Sequence, residues 1–206
     1  MKRQAILSSH YFPCIAYFAL LHKHESVILD LGEHFMKQSY RNRCVIYTSN
    51  GRLALSVPVI RKNKTAVKDV VIDTSIDWRK SHWRAISSAY NSSPFFEFYE
   101  HDLKDVFFTE YKSLAELNFH LLKHICKEIG IEITMTESDK YVDLSNANVD
   151  YRTLISAKKS YIPAEDYPRY IQVFEAKQGF INNLSILDLL FHEGPETLTY
   201  LNNINN

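Results

Sequence analysis

Glycine is scarce in this chain, five among 206 residues, and neither a Gly-rich phosphate loop nor a dinucleotide fingerprint is present. No Gly-x-Ser-x-Gly elbow occurs, which removes the α/β-hydrolase type of serine nucleophile. Cysteine numbers three, Cys14, Cys44 and Cys126. An odd count at wide spacing supplies neither a disulfide framework nor a zinc cluster, and predicts a reducing cytoplasm. Cys14 and Cys44 would be nucleophiles only with a histidine beside them; a buried, inert thiol is the preferred reading. His22-Lys-His24 has no third ligand at metal spacing, so no metal is expected, and no cofactor. No apolar run reaches the roughly 18 residues of a membrane span, and Met1 to Leu7 has no apolar h-region of a secretory signal. Net charge is also missing: 24 Lys and Arg stand against 24 Asp and Glu. No global field draws the chain to nucleic acid, so any anion site must be local.

What remains is a chain rich in Tyr (13) and Phe (12), residues that suit partly wet clefts and interfaces. Its length fits one domain spanning 1–206. Ala5 to Ser9 reads as a buried strand, Ile15 to Lys23 as a short helix with Pro13 near its start, and Ser26 to Leu31 as a second strand. That is the opening of a parallel α/β unit. Asn50-Gly51, between strand-like Cys44–Tyr47 and Leu53–Val57, marks a hairpin. Val70–Asp73 is a further strand. Helices follow over Trp78–Tyr90, Pro94–Phe108 and Leu114–Ile129, the last ending at Gly130. Glu132–Met135 reads as a strand. From Glu137 to Pro168 the chain is polar and patternless, with a charged patch at Lys158-Lys159, and is expected to be a long loop or linker over 137–168. Order returns at Tyr170–Phe174, and Leu184–Leu201 is an apolar helix pair broken at Gly194-Pro195. The expected fold is α/β: a Rossmann-like, mostly parallel sheet with a β-hairpin insertion and a helical middle and C-terminal region.

Four clusters could carry chemistry. His10 follows the first strand, and the carboxyl edge of such a sheet is where ligands bind. It is read as a general base or phosphate partner, or else as a histidine bonded within its own loop. Lys37, Gln38, Ser39, Tyr40, Arg41, Asn42 and Arg43 form an acid-free run after the second strand, at the same edge. Lys37 offers a point charge, and Arg41 and Arg43 offer planar forks for an anion. The alternative is a solvated basic turn. Glu33-His34 could orient the run through ion pairs. On the first long helix, Trp78, His82, Trp83, Ser87 and Tyr90 share a face. His82 is read as an acid–base group or as part of a face docked on the sheet. Ser93 before Pro94 could cap a helix and seat an anion. Last, Asn183 or Ser185 could cap the helix carrying Asp188. That acid, within an apolar face, needs a partner, expected to be an Arg of the 37–43 run, in a structural rather than catalytic role.

Several segments resemble one family, in order and over nearly the whole chain. They are Ser9-His-Tyr-Phe-Pro13, Lys37-Gln-Ser-Tyr-Arg-Asn-Arg-Cys44, Asn50-Gly51 with Ser56-Val-Pro58, Trp78 with His82-Trp83, Ser87 to Phe96, and Asn183 to Phe191. Together they are similar to the WbqC-like protein family, in the shorter branch seen in Bacteroidetes-type bacteria. Cys14 stands where members often have Trp. The resemblance implies a place in surface-polysaccharide (O-antigen) clusters and a glycine transferase role, with no established catalytic residues.

The expected function is therefore transfer of glycine or a related acyl or amino group from an activated, phosphate-bearing donor such as a nucleotide-sugar, with nucleotidyl transfer a weaker variant. Lys37, Arg41 and Arg43 would hold the anion; Ser39, Tyr40 and Asn42, with Trp83, Tyr90 and Ser93, would orient the substrate. His10 or His82 would take the proton. The alternative is a non-catalytic glycan- or protein-binding assembly factor. Expected partners are the small-molecule donor and other enzymes of glycan assembly, with no nucleic acid and no membrane span.

Overall fold

The computed structural model describes residues 4–144, 148–157 and 161–204. In chain order the strands and α-helices are β1 (Gln4–Ser8), α1 (Ile15–Leu21), β2 (Ser26–Asp30), β3 (Arg43–Thr48), β4 (Gly51–Ser56), β5 (Val59–Ile60), β6 (Val71–Ile72), α2 (Trp78–Tyr90), α3 (Phe96–Phe108), α4 (Leu114–Ile129), β7 (Thr134–Ser138), β8 (Asn148–Asp150), α5 (Glu175–Gln178), α6 (Ile186–Glu193) and α7 (Thr197–Asn202).

Four strands form a parallel sheet in the order β7-β2-β1-β8. β1 sits inside it and buries Ala5, Ile6 and Leu7 completely or nearly so, the pattern of a strand covered on both faces. α1 is buried along all seven residues, which its unbroken apolar sequence requires. Its N-terminus is satisfied from far along the chain: Asn183 Oδ1 accepts the Ala16 amide at 2.9 Å. Asn183 holds a left-handed φ of 50° to do so. Ser185, two residues on, caps α6 by accepting the Leu187 amide. The two residues therefore cap different helices.

The hairpin β3–β4 is antiparallel and pairs Thr48 with Gly51, so the turn itself is Ser49-Asn50 and Gly51 opens β4 at φ 92°. α4 stops at Gly130 (φ 80°) as its sequence indicates, and it opens with the Ser113 side chain accepting the Glu116 amide. α3 begins without a side-chain cap, because the Ser93 hydroxyl donates instead to the Tyr90 carbonyl at 2.6 Å. Ser93 thus closes α2 rather than opening α3.

One reading of the C-terminal half is corrected. The polar stretch after Glu137 contains β8, three residues long, which pairs with β1 and completes the sheet. Tyr170–Phe174, where order returns, is irregular chain leading into α5, anchored by side-chain bonds. Lys158-Lys159 lies outside the described residues. Among the described residues, no helix is long and apolar enough to cross a membrane.

Candidate functional site

From β1 the chain moves to β2 and β7 on one side and returns to β8 on the other. The carboxyl ends of β1 and β8 therefore flank a topological switch point, where loops diverge and leave a crevice. A crevice of about 150 Å³ lies among Lys37, Gln38, Ser39 and Arg41 on one wall and Arg152, Thr153 and Ser156 on the other. The first wall belongs to the basic run. The second follows β8 and was invisible in the sequence, because a three-residue strand in polar chain gives no periodic signal.

A charged network stands under these walls. Arg41 donates Nε and Nη2 to Glu33 at 2.9 and 2.5 Å, and Nη2 also reaches Ser8 Oγ at 3.1 Å. Arg152 donates Nε and Nη2 to Asp150 at 3.0 and 2.7 Å, and Nη1 to Asp30. Asp30 is fully buried. Its Oδ1 takes the Gly32 and Glu33 amides, and its Oδ2 takes the Val142 amide. These contacts tie the ends of β1, β2 and β8 together. They also occupy the guanidinium forks, which leaves them poor first ligands for an incoming anion.

His10, in the loop after β1, is 3% exposed and is not among the residues that line the crevice. Its ring packs 5.1 Å from Tyr17 and 5.7 Å from Tyr40. Among the described residues, Nδ1 is buried without a hydrogen-bond partner. Burial, and then the nearby Arg41 charge, hold its pKa well below the ordinary histidine value, so the imidazole is neutral. The adjoining backbone is pinned by the Tyr11 amide on the Tyr40 carbonyl at 2.9 Å, which joins the loop after β1 to the basic run. Asn118 of α4 reinforces the joint, donating to Ser9 Oγ at 3.2 Å and to the Arg41 carbonyl at 2.8 Å. Its Oδ1 is a second buried atom without a hydrogen-bond partner among the described residues. Phe12 and Gln38, both with left-handed φ (39° and 54°), flank the same edge. For a bulky residue such as Phe12 that conformation is strained.

The structure brings His10 and residues 37–41 together and disperses the other sequence candidates. Asn42 Nδ2 bonds the Val57 carbonyl at 2.8 Å, fixing the hairpin. Arg43 leaves along β3 and meets Ser56 Oγ at 3.1 Å. His82 packs 5.1 Å from Trp78, and its Nδ1 is 2.9 Å from the Tyr11 hydroxyl. Burial pushes its pKa down to about 4. Among the described residues no hydrogen bond or ring contact joins His82 to His10. Trp83 packs on Phe107 at 5.8 Å, and the Tyr90 hydroxyl accepts the Tyr47 amide at 3.2 Å. Asp188 is fully buried, but its partners are Tyr170 (2.5 Å) and Gln172 (2.8 Å), not an arginine. Arg41 is already committed to Glu33, and Arg43 to the hairpin. The cysteines are buried, and burial raises the thiols of Cys14 and Cys126 to about 11 and about 12, which keeps them protonated.

A larger, open groove of about 700 Å³ runs between the end of α3 and α4, past His120 and His124. None of the edge residues lines it. Among the described residues, no group of three side chains is placed to hold a metal ion.

A parallel sheet in this order, carrying an antiparallel hairpin and helices, defines an α/β protein of Rossmann-like strand order. The chain belongs to the WbqC-like protein family, whose model matches residues 8–160 and 156–200. It is 31% identical over 228 aligned residues to the uncharacterized protein Rv1507c of Mycobacterium tuberculosis, with 98% of each chain covered. No solved structure matches it.

Proposed function

We propose that the protein is a cytoplasmic group transferase of surface-polysaccharide assembly, acting on a phosphate-bearing activated donor in the crevice between β1 and β8. The supporting observation is His10: a neutral, desolvated imidazole with an unpartnered nitrogen at the carboxyl end of an inner strand. A base at rest needs to be unprotonated, and burial keeps it so well below neutral pH. The acceptor's amine or hydroxyl loses its proton to His10 as its nitrogen or oxygen bonds to the glycyl or related acyl carbon. The phosphate-linked leaving group departs with the electron pair of the broken bond. Arg41 and Arg152 act as fixed walls, and Asn118 positions the loop after β1. The family resemblance supports the surface-polysaccharide setting and the glycyl group.

The test is a thermal-shift screen of nucleotide-sugars and aminoacyl phosphates, since a ligand of the native state raises apparent stability. Turnover of any hit is then measured in wild type and His10→Gln. A loss of at least a hundredfold with the fold intact supports the reading. Unchanged turnover removes His10 from catalysis. Glycan binding with no turnover of any donor favours the alternative, a binding or assembly factor.

A further inference from the structure

The Lys37–Arg43 run draws attention to its arginines as anion ligands, but both are engaged elsewhere. Arg41 faces Glu33 and Ser8 with Nε and Nη2, and Arg43 lies along the hairpin with Ser56. The main chain of the run is differently placed. The amides of Lys37, Gln38 and Tyr40 donate no hydrogen bond among the described residues, whereas the Phe35 amide before them and the Arg41 amide after them are both bonded. Gln38 between them is left-handed at φ 54°, the kind of backbone turn from which anion-binding concavities are built. Lys37 is exposed, makes no ion pair among the described residues, and lines the crevice with Gln38 and Ser39. The crevice encloses about 150 Å³, against roughly 300–1,000 Å³ for a pocket that takes up a drug-sized ligand, so it takes a phosphoryl group and leaves the rest of a donor outside.

We infer that the backbone amides of Lys37, Gln38 and Tyr40, with the Lys37 ammonium, form a cradle for a single phosphoryl group at the mouth of the switch-point crevice. The guanidinium groups of Arg41 and Arg43 are not its ligands. This deepens the donor site proposed above and rests on that reading for its biological ligand, but not for its physical test. A cradle of amides recognises phosphate through donors that point inward, at any sequence that keeps the turn. Its weak point is therefore backbone conformation rather than side-chain charge. A glycine at position 38 adopts the left-handed turn freely, whereas a proline at 39 drives the preceding residue into extended conformation.

The experiment is a titration of the ¹⁵N-labelled full chain with inorganic phosphate, followed by amide shifts at constant ionic strength, with chloride as control. Saturable shifts centred on Lys37, Gln38 and Tyr40 are expected, with binding kept in Gln38→Gly and weakened at least tenfold in Ser39→Pro. The Ser39→Pro spectrum elsewhere reports whether the fold survives. If it does not, the comparison of Lys37→Ala, expected several-fold weaker, with Arg43→Ala decides. Phosphate shifts centred on other residues, or binding lost in Arg43→Ala and kept in Ser39→Pro, overturn the cradle and leave the His10 reading standing. No saturable phosphate binding at all also overturns it. Binding at these amides with no donor turned over keeps the cradle and removes the transferase reading.

Discussion

Arg41 and Glu33 form a two-point ion pair, Nε to Oε1 at 2.9 Å and Nη2 to Oε2 at 2.5 Å, with both side chains under a tenth exposed. The pair fastens the basic run to the end of β2. Breaking a buried pair from one side strands the other charge, which typically costs about 3–5 kcal/mol. Glu33→Ala is therefore expected to lower unfolding free energy by about 3 kcal/mol in urea titration. A loss below about 1 kcal/mol would mean that Arg41 finds water and that the pair does not organise the rim.

His10 and His82 should make the fold acid-sensitive. Both have folded-state pKa values below the unfolded histidine value, His82 at about 4, with burial as the main cause. The unfolded chain therefore binds more protons as pH falls below about 6.5, and stability drops by up to roughly 1.4 kcal/mol per pH unit for each group. Melting temperature measured from pH 7 to 5 should fall, and His82→Gln should flatten that fall by about half. An unchanged slope would place solvent at the ring.

Much of this architecture can be read from residues, and the failures have identifiable causes. The β1–α1–β2 opening announces itself by apolar runs long enough to bury, the hairpin by Asn50-Gly51, and α4 by its apolar face and Gly130. The meeting of His10 with residues 37–41 follows from two loops leaving adjacent parallel strands at the same end. The opposite wall does not follow. Asp150 ends a strand of three residues and Arg152 follows it, and only the pairing with β1 reveals that strand. The choice of partners is also tertiary: Glu33 is within reach of Arg41 in sequence, whereas Asp188 meets Tyr170 and Gln172 through chain that shows no regular structure.

Asp188 should be a destabilising charge at neutral and alkaline pH. Among the described residues, Oδ1 has no partner. His192 Nδ1 lies 2.6 Å from the Asp188 carbonyl oxygen and 3.9 Å from its Oδ2, and Nε2 accepts the Val173 amide. Burial raises the Asp188 pKa. The folded state then holds its proton to higher pH than the unfolded chain, and stability declines as pH rises from the unfolded value toward the folded one. Asp188→Asn keeps an acceptor for Tyr170 and Gln172. It is expected to raise stability at pH 8 by about 1 kcal/mol and to remove that part of the pH dependence. A destabilised Asn variant at pH 8 would show that the ionised carboxylate is the form the fold selects.

Gly32 tests whether the ends of β2 and β7 must approach as closely as they do. A Cβ at this position would stand 2.1 Å from the Tyr141 nitrogen and 2.2 Å from the Lys140 carbonyl carbon, and backbone atoms cannot swing aside as a flexible side chain would. The loop after β7 would have to retreat, taking with it the Val142 amide that bonds Asp30 at 3.2 Å and the Tyr141 ring 4.3 Å from the Arg152 guanidinium. Gly32→Ala is therefore expected to cost about 2–3 kcal/mol, the upper range for overpacking. It should also loosen the Asp30–Arg152 contact, read as faster hydrogen exchange at Val142 and Arg152. Exchange unchanged at both amides would show that the Arg152 wall of the crevice is held by Asp150 alone.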